Sequence, residues 1–191
     1  MFLRNYWYVA AYSNEVTRKP LGRVMLGEPV VVYRRRDGTP VALEDRCAHR
    51  RLPLSMGKVI GDDLQCHYHS VVFDCTGACV KIPGQERIPR KMRIKSYPVV
   101  DRPPCVFVWM GDEADADESL IPTHFDMLNR DGWANSTFHG HVEGNYQLVI
   151  DNLLDLSHLA TVHASTVGTS HVADIAKVET ERQGDNVTVS R

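Results

Sequence analysis

Cys47-Ala48-His49 and, after sixteen intervening residues, Cys66-His67-Tyr68-His69 place one thiol and one imidazole in each of two short segments. Two sulfurs and two nitrogens suit either a tetrahedral zinc ion or a [2Fe-2S] cluster in which two His replace two Cys on one iron. Zinc fingers generally pair Cys with Cys at one end and His with His at the other. Each segment here is mixed, which favours the dinuclear iron cluster. His67 adjoins Cys66 and is too close to chelate comfortably, so His69 is the expected donor and His67 a solvated neighbour.

Outward from these segments the chain reads as β-structure. Val30-Val31-Val32-Tyr33 and Val41-Ala42-Leu43 flank Asp37-Gly38, a hairpin signal, and Val71-Val72-Phe73 and Cys105-Val106-Phe107-Val108-Trp109 are further short β-type runs. Residues 1–111 therefore read as a small antiparallel β domain, with both donor segments expected at the tips of neighbouring hairpins on a rigid sheet. Arg34-Arg35-Arg36 reads as a solvated strand edge, or in functional terms as a docking patch for an acidic redox partner. Cys75-Thr76-Gly77-Ala78-Cys79 resembles a metal clip, but Thr76-Gly77 is a turn signal and the segment brings no convergent ligand pair, so Cys75, Cys79 and Cys105 read as reduced structural thiols. Residues 112–118 hold five carboxylates in seven positions, with Pro122 shortly after, and 112–123 reads as a solvated inter-domain linker.

Beyond residue 123 a second chemistry begins. Asn135 to Val142 reads as a strand, and Asn145 as the N-cap of a helix starting at Tyr146. On a regular helix Asp151, Asp155 and His158 would fall within about 60° of one another, whereas His158 and His163 would lie about 140° apart. The two imidazoles can share an ion only if the helix ends, bends or takes a π-bulge between them. An amphipathic surface helix with a polar stripe is the competing explanation.

With 191 residues, 43% hydrophobic content and a formal charge of −2, the composition is that of an ordinary globular protein and carries no bulk field toward nucleic acid or membrane. No signal peptide is evident at the N-terminus and no apolar run reaches the roughly 18 residues of a membrane span, so a cytoplasmic location is the default expectation.

Phe2-Leu3-Arg4-Asn5-Tyr6-Trp7-Tyr8-Val9-Ala10, Lys19-Pro20-Leu21-Gly22, Cys47-Ala48-His49-Arg50, Ile82-Pro83-Gly84-Gln85-Glu86 and Ile94-Lys95-Ser96-Tyr97-Pro98 together resemble the vanillate demethylase and toluenesulfonate methyl-monooxygenase group of the Rieske non-haem iron oxygenases. The resemblance covers essentially the whole chain. It implies an α+β protein: an N-terminal antiparallel β Rieske domain, then the truncated start of a helix-grip-like catalytic domain over 124–191. It implies a [2Fe-2S] cluster on Cys47, His49, Cys66 and His69, and a mononuclear Fe(II) with two of its ligands at His158 and His163. Asp155 would match the acid that hydrogen-bonds a cluster imidazole across a subunit boundary, and Asn152 a polar residue beside the iron. The carboxylate that completes the iron site in this family lies beyond residue 191, and the alternating Asn186-Val187-Thr188-Val189-Ser190-Arg191 reads as a strand cut off midway. Two departures lie beside the cluster: His67 stands where the family often has Pro, and Ser70 where it usually has Gly. Leu52 and Tyr68 occupy the positions of the disulfide cysteines of high-potential respiratory proteins, which favours a low-potential cluster.

The implied function is the oxygenase component of a monooxygenase that demethylates an anionic aromatic substrate or hydroxylates its methyl group with O2. Electrons would come from an NADH-dependent flavin/iron-sulfur reductase, and the implied assembly is a homotrimer. The alternative from another class is a Rieske ferredoxin-type electron carrier without a working mononuclear iron. A structural zinc module is a third, and it predicts a colourless protein.

Overall fold

The computed structural model describes residues 2–123, 130–134, 136, 138–166, 168, 178–184 and 186–190. They form two compact units, Met1–Asn135 and Ser136–Arg191, made mostly of antiparallel sheet with few helices.

Among the described residues the first unit holds eleven strands in three sheets: β1 (Trp7–Tyr12), β2 (Leu21–Met25), β3 (Glu28–Arg34), β4 (Pro40–Glu44), β5 (Lys58–Ile60), β6 (Asp63–Gln65), β7 (Val72–Phe73), β8 (Cys79–Lys81), β9 (Ser96–Tyr97), β10 (Val99–Arg102) and β11 (Cys105–Trp109). Their orders are β2-β3-β4-β9, β1-β11-β10 and β5-β6-β7-β8. The β3–β4 hairpin turns at Asp37-Gly38 as its sequence indicates, with Gly38 at φ 88°.

The continuous apolar runs have a simple cause: β3 and β11 are buried on both faces. Val31, Tyr33 and Leu43 face one apolar core together with Leu54, Leu64, Phe73 and the two cysteines Cys47 and Cys66. Their alternate neighbours Val30, Val32 and Ala42 face a second core, shared with Val106 and Val108 of β11. Phe107 and Trp109 point the other way into a third, with Trp7 and Ile121. The period-two alternation of a strand thus divides one hydrophobic run between two cores.

That third core changes the reading of the acidic segment. Instead of running free, it lies across the unit. Ile121 is buried against Trp7 and Trp109, the Trp7 indole donates to the Asp117 carbonyl at 2.7 Å, and the Trp109 indole donates to that of Asp112 at 2.6 Å. Asp112 and Asp117 cap two 3₁₀ turns, Glu113–Asp115 and Glu118–Leu120, accepting from the backbone N–H groups of Ala114 and Ser119. The carboxylates that suggest solvated chain are in part the caps that fold it down, and the compact unit continues to Asn135.

The second unit, as described, contains α1 (Tyr146–Leu154), a 3₁₀ turn at Leu156–His158, α2 (Leu159–Val162) and the hairpin β12 (Glu179–Gln183) and β13 (Asn186–Ser190). Asn145 caps α1 as its sequence indicates, accepting from Gln147 N–H at 3.0 Å. Phe138 to Val142 form no strand; Asn135 and Thr137 lie outside the described residues. Among the described residues no helix is long and apolar enough to cross a membrane.

Candidate metal centres

The two donor loops of the first unit share one backbone design. In the first, Cys47 N–H donates to Leu52 C=O at 2.9 Å and Arg51 N–H donates back to Cys47 C=O at 2.8 Å; in the second, Cys66 N–H donates to Val71 C=O at 2.8 Å and Ser70 N–H to Cys66 C=O at 3.2 Å. Each turn closes through a left-handed residue four positions after its cysteine, Arg51 at φ 58° and Ser70 at φ 57°. Side chains other than glycine rarely adopt this conformation, so both loops hold local strain against the surrounding sheet.

Their settings differ from the expectation in one respect. The second loop is the tip of the β6–β7 hairpin, but the first connects β4 to β5, which belong to different sheets. Two contacts fix it there. Asp45, 6% exposed, accepts from Ser55 N–H and from Ser55 Oγ, both at 2.6 Å, and so ties the start of the loop to the 3₁₀ turn Leu54–Met56 that follows it. Gly57 then passes so close to β6 that a Cβ there would stand 2.1 Å from the Gln65 carbonyl oxygen, immediately before Cys66. The first loop reaches the second only because residue 57 has no side chain. Neither Asp45 nor Ser55 stands out in the sequence, because their pairing spans ten residues of loop.

The four donors pair off by chemistry. Cys47 and Cys66 are each 2% exposed, unoxidised, and within hydrogen-bonding reach of one another. Burial pushes the Cys47 thiol up; the Cys66 thiol pushes the same way, and the backbone N–H groups of His49 and Arg50 oppose both by pointing at the sulfur. His49 and His69 are exposed, with ring centroids 4.6 Å apart in an edge arrangement, and Tyr68 stacks on His69 at 3.8 Å. His67 is exposed. Two adjacent buried sulfurs with N–H groups aimed at one, and two adjacent exposed imidazoles, fit a cluster with one iron on sulfur and the other on nitrogen.

Among the described residues no three His, Cys, Asp or Glu side chains meet at one point. A dinuclear cluster asks only for two protein donors at each iron, because bridging sulfides supply the rest.

In the second unit the helix breaks where two imidazoles need it to. α1 stops at Leu154; Asp155, at φ −93° and ψ 95°, leaves the helix, and its carboxylate caps the following 3₁₀ turn by accepting from Ser157 N–H at 2.9 Å. The change of path brings His158 and His163 to 5.3 Å between ring centroids. His158 Nδ1 lies 2.6 Å from the Asp155 carbonyl oxygen, which leaves Nε2 for an ion. The capping role of Asp155 went unseen in sequence because the regular-helix projection assumed no break there. Asn152 is exposed on α1, three residues before the break. Of the carboxylates near the chain's end, Glu179 lies on β12 and Glu181 beside it on the same strand, while Asp174 and Asp185 lie outside the described residues.

The remaining sequence features have structural employment. Arg34 donates to the Val16, Ser13 and Gly38 carbonyls and pairs with Asp101 at 2.6 Å, and Arg35 pairs with Asp37 at 3.6 Å. The arginine run is therefore largely consumed within the fold. Cys75, Cys79 and Cys105 are free thiols, and the turn between the first two is held by Asp74, which accepts from Thr76 and Ala78 N–H groups.

Residues 6–98 match the Rieske [2Fe-2S] domain family and residues 142–191 the vanillate O-demethylase oxygenase C-terminal domain family. The chain is 48% identical over 179 residues to the toluene-4-sulfonate monooxygenase system iron-sulfur subunit of Comamonas testosteroni, an alignment that covers 93% of this chain and 51% of that protein. It is 42% identical over 191 residues to a vanillate O-demethylase oxygenase subunit from Pseudomonas sp., covering 100% of this chain and 53% of the relative. Among solved structures it resembles dicamba monooxygenase bound to dicamba, with a TM-score of 0.91 at 38% identity over 97% of this chain and 55% of the other. A further structure of that enzyme, with non-haem iron and dicamba, aligns at a TM-score of 0.84 and 37% identity, covering 98% of this chain and 53% of that one. The chain spans about half the length of the relatives it matches.

Proposed function

Since the chain belongs to the Rieske non-haem iron oxygenases, we propose that it forms the electron-accepting domain and the first part of the catalytic domain of a monooxygenase oxygenase component. Its substrate is an anionic aromatic bearing a methyl or O-methyl group. Cys47 and Cys66 hold one iron of the [2Fe-2S] cluster and His49 and His69 the other; His158 and His163 supply two ligands of a mononuclear Fe(II). The observation that carries this reading is the division of the first four donors into a buried sulfur pair and an exposed imidazole pair.

When bound, the cluster supplies one-electron transfer and the single iron the activation of O2. The chain's own residues set the conditions. Burial of Cys47 and Cys66 keeps water from the sulfur side, while the exposed imidazole edges are the route by which electrons enter and leave. The Asp155 carbonyl fixes the tautomer and orientation of His158, and the helix break turns His163 toward it. Asn152 and the Asp155 side chain are assigned to positioning beside the iron and to the link with a neighbouring subunit's cluster imidazole. In the net reaction one oxygen atom of O2 enters a methyl C–H bond and the other leaves as water, the two electrons and two protons coming from NADH and solvent. An NADH-dependent flavin/iron-sulfur reductase, a homotrimeric assembly and a cytoplasmic location complete the proposal.

The test uses the full-length protein purified without oxygen. About three irons and two sulfides per chain, and a rhombic EPR signal on reduction, are expected. With the reductase, NADH and a methoxybenzoate or methylbenzenesulfonate panel, formaldehyde or alcohol should form. His158→Ala should keep the visible spectrum, lose about one iron per chain and abolish product. A colourless zinc protein would overturn the reading, and a stoichiometry of about two irons per chain would favour the ferredoxin-type carrier.

A further inference from the structure

A cavity of about 650 Å³ lies between the first donor loop and the β2–β3 hairpin, lined from both. Its charge is one-sided. Arg23, Arg46 and Arg51 line it against the single carboxylate Asp45, and both oxygens of that carboxylate already accept from Ser55. Arg23 is engaged by the Ala10 carbonyl and by Glu15 at 3.2 Å. The other two arginines are left over. The Arg46 side chain is exposed and makes no hydrogen bond or ion pair with the described residues, and the Arg51 guanidinium, 68% exposed, has among them only Glu44, 4.0 Å away. Apolar surface faces the same space: Val24 on β2 and Met56 on the 3₁₀ turn are 78% and 60% exposed, and Pro53 lies in the same wall. A guanidinium grips an oxyanion through its fork of N–H groups and stacks on aromatic faces. Two of them beside apolar walls make a concave site of small-molecule size.

We infer that this cavity binds an aromatic carboxylate or sulfonate, its anionic group on Arg46 and Arg51 and its ring against Val24, Pro53 and Met56. The inference rests on the proposed substrate class for the choice of an aromatic anion, and it adds a ligand site on the first unit. An inorganic anion would satisfy the arginines but leave Val24 and Met56 in water; a neutral aromatic would cover the apolar wall and leave the cations unpaired. Occupancy acts on the donor loop. Arg46 directly precedes Cys47, and the Arg51 N–H donates to the Cys47 carbonyl from a left-handed backbone at φ 58°. An anion held by both guanidinium groups therefore ties together the two ends of the segment that carries Cys47 and His49, which Asp45 and Ser55, in the same wall, already brace.

The experiment is hydrogen exchange on the full-length, cluster-loaded protein under nitrogen. Benzenesulfonate is the probe, because it carries the anion and the ring but no methyl group to oxidise. It should slow exchange at residues 45–56 and 22–25, and the concentration dependence of that protection gives a Kd for this cavity, whatever the probe does elsewhere. Arg46→Gln should raise that Kd at least ~10-fold, the loss of one charge-assisted contact. Val24→Glu, at an exposed strand position that leaves both arginines in place, should raise it too by repulsion, while Val24→Thr should stay close to the unsubstituted value. The visible spectrum of the cluster checks that each variant folds. Benzyl alcohol and sodium sulfate should protect neither segment. Absence of protection by benzenesulfonate, equal protection by sulfate, or a Kd that neither Arg46→Gln nor Val24→Glu alters would each overturn the site. Product from the methoxybenzoate panel without such protection would sink this site and leave the proposed function standing; protection without product would do the reverse.

Discussion

At the scale of single residues, the loop that carries Cys47 and His49 depends on a side chain that touches no metal. Asp45 is buried, and the Ser55 N–H and hydroxyl both donate to it. Asp45→Ala removes the acceptor and leaves the Ser55 N–H without its partner, and should cost about 1–3 kcal/mol. Urea unfolding read at constant slope measures this, and Ser55→Ala, which keeps the backbone donor, should cost less. A second residue gives a pH dependence. Burial raises the Glu28 carboxyl, but hydrogen bonds from Arg4 and Tyr97 and the cation of Lys95 outweigh it and hold the group below its ordinary range. A carboxyl depressed in the folded state stabilises above its unfolded pKa of about 4.3, and that stability is lost as pH falls through the folded value. Glu28→Gln should therefore unfold at lower urea than the unsubstituted protein at pH 7, and the gap should narrow as pH falls below the unfolded value of about 4.3.

Among the elements, the approach of the two donor loops is set by Gly57, where the 3₁₀ turn after the first loop meets the Gln65 carbonyl at the end of β6. A methyl group there has no room, because the atom it would strike is backbone. Gly57→Ala should cost about 1–3 kcal/mol through displacement of that turn, and the cluster content per chain should fall with it. Sulfide analysis of the purified variant checks the second outcome, and an unchanged sulfide content would mean that the loops find their spacing by another route. The same reasoning at α1 explains why Asp155 matters as an element terminus. Its capping of the Leu156–His158 turn stabilises the change of path that brings the imidazoles together.

For the molecule as a whole, the first unit runs to Asn135 and holds all four proposed cluster donors. Its cores alternate with its sheets, and the acidic segment closes the outermost core through Ile121. Residues 1–135 expressed alone should fold and show the visible and EPR features of the cluster, whereas residues 1–111, which lack Ile121 and the caps at Asp112 and Asp117, should be markedly less stable in thermal unfolding. Equal stability of the two would contradict the role given to the acidic segment. Much of this was legible in the sequence by itself. Cys47, His49, Cys66 and His69 announce their chemistry because a ligand set is a matter of residue type and spacing. The β3–β4 hairpin, its turn at Asp37-Gly38 and the Asn145 cap follow from local rules, since their partners lie within a few residues. Only the tertiary structure decided that five clustered carboxylates fold down as caps and strap, that the first donor loop bridges two sheets, that Asp45 and Gly57 hold it, and that α1 breaks at Asp155. Each of these is fixed by a contact between residues distant in the chain, or by a break that periodicity assumes away, and no local pattern encodes the energy of such a contact.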